Sequence, residues 1–430
     1  MITIAFIGAG SIEFTRNVVT DLCSFTEFDR QLRLSLHDIS PERLEFAQRL
    51  VTRITEQTGT KAVVTASLDR AEAIKGAGYV INEVQVGGYD ATRLDFDIPA
   101  RYGVRQTIAD TIGVGGIFRG LRTIPVAVGL ARDMLRVCPD ATLLNYANPM
   151  AMLPWSVYAG TGFERVYGLC HSVRDTHAFL AELVGVPEAE ISFTTAGFNH
   201  QAFVLEFARA GESLYPKLRS AIDADPQGLG RRVRVELFRR FGYFPTESSE
   251  HSAEYVPWFM RHDDQIERFR VPVGEYLDRC EENLAELAEL TALLDAGEPV
   301  GLERNNELAT QFIYSAETGY EQEIYVNIRN EGRISSLPAD ACVEVPCSLG
   351  PGGPKPRAVG ALPVQLAALN RTFLNVVELT VTAALTGYRD HVYQAALLDP
   401  NTSATLTTDQ TVAMCDELFE AHAAMLPQFS

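Results

Sequence analysis

One stretch predicts the fold of this chain: Ile2-Thr3-Ile4-Ala5-Phe6-Ile7-Gly8-Ala9-Gly10-Ser11. Its first part is a continuous, mainly apolar run, which is typical of a buried parallel strand. Gly8 permits a tight turn after the strand, and Gly10 would let the backbone approach a pyrophosphate at the start of a helix that opens near Phe14. Glu13 stands where the full dinucleotide-binding fingerprint has its third glycine. The motif is therefore partial, and its position directly after a strand supports it.

Strands and helices alternate over the N-terminal half of the chain. Apolar runs predict strands at Leu32 to His37, Ala62 to Thr65 and Tyr79 to Val84, and a helix follows the first of them from Pro41 to about Thr58. This alternation predicts a doubly wound parallel sheet of the Rossmann type. Ligands of such sheets bind at the carboxyl ends of the strands, which is where Gln85 lies.

An acidic residue, Asp38, ends the second predicted strand. In this position a carboxylate can bind the ribose hydroxyls of NAD and would repel the 2′-phosphate of NADP. The alternative interpretation is a turn or cap residue before Ser40-Pro41, which opens the next helix. The ribose role is the interpretation we favour.

Two further segments combine small and polar residues. Gln106 to Thr111 leads into Gly113-Val114-Gly115-Gly116, where the glycine density predicts either backbone pressed against a ligand or a flexible surface loop. A helix from about Phe118 to Val137 follows, and Pro125 should kink or restart it. Asn148 precedes a proline, which holds it extended, so that its amide could be aimed at a sugar hydroxyl.

A thiol and an imidazole follow on two separate loops. Cys170 comes directly after the predicted strand Val166 to Leu169, and His200 follows in Gly197-Phe198-Asn199-His200. A thiolate and a neutral imidazole can hold a borderline divalent metal and leave positions open for substrate oxygens. The alternative is structural, because free cysteine usually packs as a small hydrophobe.

The pattern changes near residue 200, and an α+β lobe is predicted beyond it. We expect an NAD-binding domain at 1–200 and a substrate and oligomerisation domain at 201–430. Short apolar runs predict strands in the second lobe, and long amphipathic segments predict helices at Leu362 to Leu385 and Thr408 to Met425. The polar cluster from Glu250 to Tyr255 stands out between them.

Composition excludes several classes of function. The 430 residues are 46% apolar, and the net charge of −19 disfavours binding to nucleic acid or to an anionic membrane. Seven cysteines without a CxxC pair indicate reduced thiols in a cytoplasm. We expect no signal peptide, because no basic segment precedes an apolar one. We expect no membrane span, because no sufficiently long uninterrupted apolar run occurs.

Taken together, the motifs resemble the NAD- and manganese-dependent glycoside hydrolases of family 4, and most closely the α-galactosidases of that family. The resemblance covers essentially the whole chain, and so many ordered matches are far more specific than any single motif. The matching segments are Gly8 to Ser11, Gln85 to Tyr89, Gln106 to Thr111, Leu121 to Pro125, Asn145 to Met152, Gly168 to Ser172, Asn199-His200, Thr246 to His251, Glu254-Tyr255 and Cys342 to Val345.

The resemblance implies a lactate/malate dehydrogenase-like architecture and roles for individual residues. Cys170 and His200 would ligate Mn²⁺ together with the C2 and C3 oxygens of the sugar. Asn148 and Asp110 would contact the substrate. The residues implied to bind NAD are Gly8, Gly10, Ser11, Asp38 and Gln85.

The resemblance leaves the catalytic acid and base open. His171 occupies the position where the phospho-sugar branch of the family carries an aspartate assigned as general acid, so His171 either replaces that acid or only marks the non-phosphorylated branch. Tyr255 matches the region where the family places a tyrosine base. The alternative for Tyr255 is a half-buried packing residue whose hydroxyl is satisfied.

The implied chemistry is hydrolysis of an α-D-galactoside without a 6-phosphate. NAD⁺ would take hydride from C3, C2 would lose its proton, the leaving group would depart by elimination, and water addition and re-reduction would follow. Related α-glucosidase and α-galacturonidase activities are alternatives, as are a plain NAD-dependent dehydrogenase and an inactive NAD-sensing module. The resemblance also implies a small-molecule substrate and a homodimer or homotetramer.

Overall fold

The computed structural model describes residues 1–430 and contains twelve strands in one sheet. In chain order the strands are β1 (Ile2–Ile7), β2 (Leu32–His37), β3 (Val63–Ser67), β4 (Tyr79–Asn82), β5 (Thr142–Asn145), β6 (Val166–Gly168), β7 (Ser192–Phe198), β8 (Gln201–Arg209), β9 (Glu212–Ser213), β10 (Gln322–Arg329), β11 (Cys342–Leu349) and β12 (Lys355–Pro356). Their order in the sheet is β3-β2-β1-β4-β5-β6-β10-β11-β7-β8-β9, with β12 paired to β11.

Seventeen α-helices surround this sheet. Those of the N-terminal half are α1 (Ile12–Ser24), α2 (Pro41–Thr58), α3 (Arg70–Ala73), α4 (Gly88–Arg101), α5 (Gly113–Val137), α6 (Met152–Thr161) and α7 (Ser172–Val184). Those of the C-terminal half are α8 (Tyr215–Ala224), α9 (Val233–Phe241), α10 (Ser249–Glu254), α11 (Asp263–Phe269), α12 (Glu275–Ala296), α13 (Leu308–Thr318), α14 (Val364–Thr386), α15 (Asp390–Leu398), α16 (Pro400–Thr405) and α17 (Thr408–Ala421).

The N-terminal half is the predicted Rossmann-type sheet. Strands β1 to β6 are all parallel and lie in the order 3-2-1-4-5-6. The apolar residues of β1 are buried almost completely, with Ile4 and Phe6 at 0% exposure, as a strand covered by helices on both faces requires. The strand order reverses between β1 and β4, and ligands of such sheets bind in the crevice at this point.

The second lobe continues the same sheet with antiparallel strands. β10 pairs with β6, where Asn327 lies opposite Gly168, and β11 pairs with β7, where Glu344 lies opposite Gly197. The chain segments that follow β6 and β7 are thereby brought to a common site. The predicted domain boundary at residue 200 falls in the turn between β7 and β8, and this division stays a prediction.

One hydrophobic core of 92 buried residues extends through both halves. A cluster of 13 residues joins α7 to the second lobe, and a cluster of 8 lies within the second lobe. Helix α5 is part of the large core. It is the one helix long and apolar enough to cross a membrane, yet 83% of its most apolar window is buried inside the protein. That burial is what the core helix of a folded domain shows.

The glycine-rich segment Gly113 to Gly116 forms the first turn of α5, so it is not the flexible surface loop that was one of the two interpretations. The other interpretation, backbone pressed against a ligand, stays a prediction. A Cβ on Gly115 would lie 2.7 Å from the Cβ of Ala109, and one on Gly116 would lie 2.7 Å from the backbone carbon of Thr111. The glycines therefore let α5 pack directly against the preceding polar segment. α5 also runs through Pro125 without a restart.

Candidate active site

The glycine turn after β1 packs tightly against its neighbours. Gly8 has φ +86°, and a Cβ there would lie 3.0 Å from the backbone nitrogen of Val84. A Cβ on Gly10 would lie 2.6 Å from the Cβ of Arg43 and 2.8 Å from Oδ2 of Asp38. Only glycine fits either position without a shift of the neighbouring chain.

The two oxygens of Asp38 hold this turn against α2. Oδ2 accepts a hydrogen bond from the backbone N–H of Gly10 (3.0 Å), and Oδ1 accepts one from that of Ser40 (2.9 Å). The turn role considered in the sequence analysis is thus present, while the ribose role stays a prediction. Ser11 is the N-cap residue of α1, and its side chain makes no capping hydrogen bond. Gln85 is exposed after β4, where its amide donates to Thr92 (3.1 Å).

Cys170 and His200 meet although they follow different strands. Sγ of Cys170, just after β6, lies 3.4 Å from Nε2 of His200, which forms the β7–β8 turn with φ +66°. Nδ1 of His200 lies 2.8 Å from Oγ1 of Thr111 and 3.2 Å from the hydroxyl of Tyr255. Nε2 is therefore the ring nitrogen that faces the thiol. The neighbouring Asn199 donates to Glu344 on β11 (3.1 Å), which holds the turn to the sheet.

A carboxylate that the sequence analysis did not assign completes this group. Oε2 of Glu247 lies 3.3 Å from Nε2 of His200. One donor atom each from Cys170, His200 and Glu247 lie within 4.8 Å of one another. A sulfur, an imidazole nitrogen and a carboxylate oxygen are donors that suit a borderline divalent metal, so these residues fit the group that the sequence analysis predicts.

Burial and neighbouring charges shift the pKa values of Cys170, His200 and Glu247 in different directions. Burial raises the pKa of the Cys170 thiol, as do the negative charges of Glu247 and Glu344. Burial lowers the pKa of His200, which favours the neutral imidazole. Burial alone would raise the pKa of Glu247, but His200 and His251 outweigh it and hold that pKa at about 2. A divalent cation at this position would favour the thiolate.

His251 lies between two carboxylates. Its Nε2 is 3.4 Å from Oδ1 of Asp110, and its Nδ1 is 3.4 Å from Oε1 of Glu247. Although burial opposes it, the charge of Glu247 and the contacts with both acids raise the pKa of His251 well above its usual range. Oδ2 of Asp110 accepts a hydrogen bond from the amide of Asn148 (2.6 Å). The two predicted substrate contacts, Asp110 and Asn148, thus lie side by side.

A buried arginine adjoins this pair. The Arg119 guanidinium donates to the carbonyl of Asn148 (3.3 Å) and to the hydroxyl of Tyr276 (3.1 Å). Its positive charge also helps to hold the pKa of Asp110 well below its usual range, although burial opposes this. Arg119 therefore supports the position of Asn148 and the ionised state of Asp110.

His171 is separate from the Cys170 group and belongs to a second contact set. Its Nε2 lies 2.8 Å from Oε2 of Glu307, and the hydroxyl of Tyr146 donates to the same oxygen (3.1 Å). Phe14 stacks on the His171 ring with centroids 6.3 Å apart. Phe14 lies on α1, the helix that follows the glycine turn, so His171 contacts the helix that opens the predicted cofactor site.

Tyr255 is placed behind His200. Its side chain is buried, its hydroxyl contacts Nδ1 of His200, and its ring lies edge-on to Phe373 with centroids 5.1 Å apart. Burial and the charges of Asp110 and Glu247 raise its pKa well above the usual range. This environment resembles the packing alternative, and the role of Tyr255 as a base stays a prediction.

The polar cluster on α10 contributes structure as well as chemistry. Glu254 accepts hydrogen bonds from the backbone N–H groups of Ile108 (3.0 Å) and Ala109 (3.1 Å), which orders the segment that carries Asp110. Glu250 instead pairs with Arg232 (2.9 Å). The two glutamates therefore do not form a pair of carboxylates flanking one bond.

Comparison with known proteins identifies the family. Residues 3–186 match the sequence model of the family 4 glycosyl hydrolases, and residues 195–402 match that of the family's C-terminal domain. The chain belongs to glycosyl hydrolase family 4. An α-galactosidase of Bacillus subtilis (strain 168) is 42% identical over 430 residues, covering 99% of each chain. An α-galactosidase of Rhizobium meliloti (strain 1021) is 36% identical over 99% of this chain and 89% of its own.

Solved structures confirm the fold of this family 4 glycosidase. A 6-phospho-α-glucosidase from gut microorganisms, in complex with NAD and Mn²⁺, superposes with a TM-score of 0.83 at 20% identity over 100% of both chains. A malate dehydrogenase from Plasmodium falciparum in complex with NADH gives a TM-score of 0.51 at 13% identity, covering 91% of this chain and 100% of its own. The predicted Rossmann-type sheet with a dehydrogenase-like second lobe is thus confirmed.

Proposed function

We propose that this family 4 glycosidase is an α-galactosidase that hydrolyses α-D-galactosides without a 6-phosphate, using NAD⁺ and Mn²⁺. The observation that carries the proposed chemistry is the approach of Cys170 Sγ to His200 Nε2 (3.4 Å) in a chain whose Rossmann-type sheet carries the glycine turn after β1. The α-galactosidase relatives support the choice of sugar, because their similarity extends over almost the whole chain.

The residues divide between cofactor, metal and sugar. When bound, NAD⁺ would accept and return a hydride at C3 of the sugar, and the metal would polarise the C3 carbonyl. Cys170 and His200 would hold the metal. The proposed NAD site consists of Gly8, Gly10, Ser11, Asp38 and Gln85.

The remaining residues would act on the sugar. Asn148 and Asp110, joined at 2.6 Å, would orient the hydroxyl groups. His171 would act near the leaving group, with its Nε2 held by Glu307 and its Nδ1 available. Tyr255 would take the C2 proton as the sequence analysis proposes, in contact with His200 Nδ1 at 3.2 Å. Acidity at C2 after oxidation at C3 lets the glycosidic bond break by elimination, without two carboxylates.

The proposed setting is the cytoplasm. All seven cysteines are free thiols in the structure, and Cys170 must be reduced to bind a metal. We propose a homodimer or homotetramer as the assembly. Nothing in the charge of −19 favours nucleic acid or membrane as a partner.

The test is hydrolysis of nitrophenyl α-D-galactoside by the purified full chain with NAD⁺, Mn²⁺ and a reductant. We expect hydrolysis to require both NAD⁺ and Mn²⁺, to leave the NAD⁺ pool unchanged, and to place deuterium at C2 of galactose in D₂O. Full activity after exhaustive chelation would contradict the metal requirement. Net formation of NADH would favour a dehydrogenase, and hydrolysis only of uronides would favour an α-galacturonidase.

A further inference from the structure

We propose that Glu247 is a third protein ligand of the metal, so that the site consists of one thiolate, one imidazole and one carboxylate. This inference rests on the proposed function, because it concerns the metal held by Cys170 and His200. It adds a residue to which neither the motifs nor the comparisons give a role.

The separations between the donor atoms suit a shared ion. Metal–ligand distances of about 2.0–2.3 Å place adjacent ligand atoms roughly 3.1–3.7 Å apart. Nε2 of His200 lies 3.4 Å from Sγ of Cys170 and 3.3 Å from Oε2 of Glu247. The carboxylate and the imidazole approach each other without forming a hydrogen bond of ordinary geometry, as two ligands of one ion would.

The other donor atoms of both side chains already have partners. Nδ1 of His200 contacts Thr111 and Tyr255. Oε1 of Glu247 accepts from the backbone N–H of Ser248 (2.7 Å) and lies 3.4 Å from Nδ1 of His251. Partners of this kind orient metal ligands and select which atom faces the ion. The atoms left over, Nε2 and Oε2, both point to the region beside Sγ of Cys170.

Charge balance supports the same assignment. A thiolate and a carboxylate carry two negative charges, which a divalent cation neutralises, and the imidazole is neutral. A carboxylate also shifts a thiolate site toward Mn²⁺, since Mn²⁺ prefers oxygen ligands.

A second grouping of Asp110, His200 and His251 also lies within 4.8 Å. Its donors are already committed, because Asp110 accepts from Asn148 and from Thr111 (2.7 Å). His251 lies between the carboxylates of Asp110 and Glu247, and its imidazolium form would pair with both. We therefore assign this grouping to the support of Glu247 and Asp110 and place the metal at Cys170.

The experiment measures Mn²⁺ affinity of the full chain without NAD or sugar, by following free Mn²⁺ in electron paramagnetic resonance titrations. The test variants are Glu247→Gln and Cys170→Ser. The control is Glu250→Gln, because Glu250 lies three residues after Glu247 and its carboxylate pairs with Arg232 instead. We expect Glu247→Gln to raise Kd by at least the roughly 10–100-fold typical of lost support residues. Glu250→Gln should leave Kd unchanged, and thermal unfolding checks that each variant is folded.

The outcomes separate this inference from the proposed function. A wild-type chain that binds no Mn²⁺ overturns the proposed metalloenzyme and this inference with it. Binding that is lost in Cys170→Ser but unchanged in Glu247→Gln overturns only the role of Glu247. If Glu247→Gln does not fold, Glu247→His supplies a second test: a nitrogen donor there should raise the preference for Zn²⁺ over Mn²⁺. An unchanged ratio of the two affinities would refute the assignment.

Discussion

His171 and Glu307 are 136 positions apart in the chain, and Nε2 of His171 lies 2.8 Å from Oε2 of Glu307. The carboxylate is buried just before α13 and also accepts from the hydroxyl of Tyr146. Burial alone would raise the pKa of Glu307, but the hydrogen bond with His171 and its charge lower it. An ionised Glu307 selects the tautomer of His171 that carries its proton on Nε2, which leaves Nδ1 as the nitrogen available to a substrate.

Replacing Glu307 by Gln should lower kcat by about tenfold or more, because His171 loses the carboxylate that orients its ring through Nε2. KM should change little, since the side-chain contacts of Glu307 are with His171 and Tyr146 rather than with the predicted sugar-binding residues. The matched control is Glu317→Gln on the helix α13 that follows Glu307, where the carboxylate accepts from Tyr79 (2.7 Å) outside the site. Steady-state kinetics on a nitrophenyl α-galactoside measure both variants. Equal kcat values for the two would show that Glu307 has only a structural role.

Adding one methyl group at Gly10 should weaken NAD⁺ binding. Its Cβ would lie 2.6 Å from the Cβ of Arg43, so the turn or α2 must shift, at a cost of about 1–3 kcal/mol. Because NAD⁺ binding needs the turn in its original position, this cost should raise the Kd for NAD⁺ roughly tenfold or more. Gly301→Ala is the control for a glycine outside the site, because a Cβ there has nothing within 4 Å and the backbone is not in the left-handed region. Calorimetric titration with NAD⁺ should separate the two variants, and an unchanged Kd in Gly10→Ala would remove this turn from the cofactor site.

The cofactor preference should favour NAD⁺ over NADP⁺ because the Asp38 carboxylate repels a 2′-phosphate. Asp38→Asn should bring the dissociation constants for NAD⁺ and NADP⁺ closer together, mainly by lowering that for NADP⁺. Asn can still accept one of the two backbone hydrogen bonds that now hold Gly10 and Ser40. A ratio of one in the wild type would leave Asp38 with only its role in the turn.

Glu83 should make stability depend on pH. Burial raises its pKa from 4.5 to about 8, with the charge of Glu307 adding to this, and the hydroxyl of Thr15 donates to Oε2 at 2.8 Å. The folded state therefore favours the protonated acid, whose stabilisation is complete below the ordinary pKa of 4.5 and is lost as the pH rises toward about 8.

The difference in free energy of unfolding between the wild type and Glu83→Gln should therefore change with pH. Relative to the variant, the wild type should lose up to about 1.4 kcal/mol per pH unit as the pH rises from 4.5 to about 8. The Gln side chain mimics the protonated acid and does not titrate. Urea unfolding of both proteins at several pH values measures the difference. A difference that stays constant with pH would mean that Glu83 is not held protonated in the folded chain.

The parts of the fold that sequence predicted are those set by local pattern. The predicted and observed bounds agree for Ile2–Ile7, Leu32–His37 and Pro41–Thr58, because an apolar run or a cap lies within the segment itself. The helix after the glycine-rich segment was predicted to begin near Phe118 and begins at Gly113 instead, although glycine disfavours helix in isolation. Close packing against Ala109 and Thr111 overrides that preference.

The candidate site was predictable only in part for a related reason. Cys170 and His200 each follow a strand, and strand ends are where ligand-binding side chains are expected. Glu247 and Glu307 reach the site from the loops just before α10 and α13, and no local spacing links either residue to its partner. The antiparallel pairing of β10 with β6 brings the two lobes together, and a short contact of this kind leaves no periodic signal in the sequence.

The continuous sheet also determines how the site can change. Cys170 and His200 lie just after the ends of β6 and β7, and these strands are joined through β10 and β11 by backbone hydrogen bonds. A hinge between the two lobes would have to break this ladder, so opening for substrate has to come from the loops around the crevice. The backbone hydrogen bonds that position Cys170 and His200 involve no metal, and metal binding therefore has little folding to drive. A chelator should therefore remove the metal without unfolding the chain, and added metal should bind again.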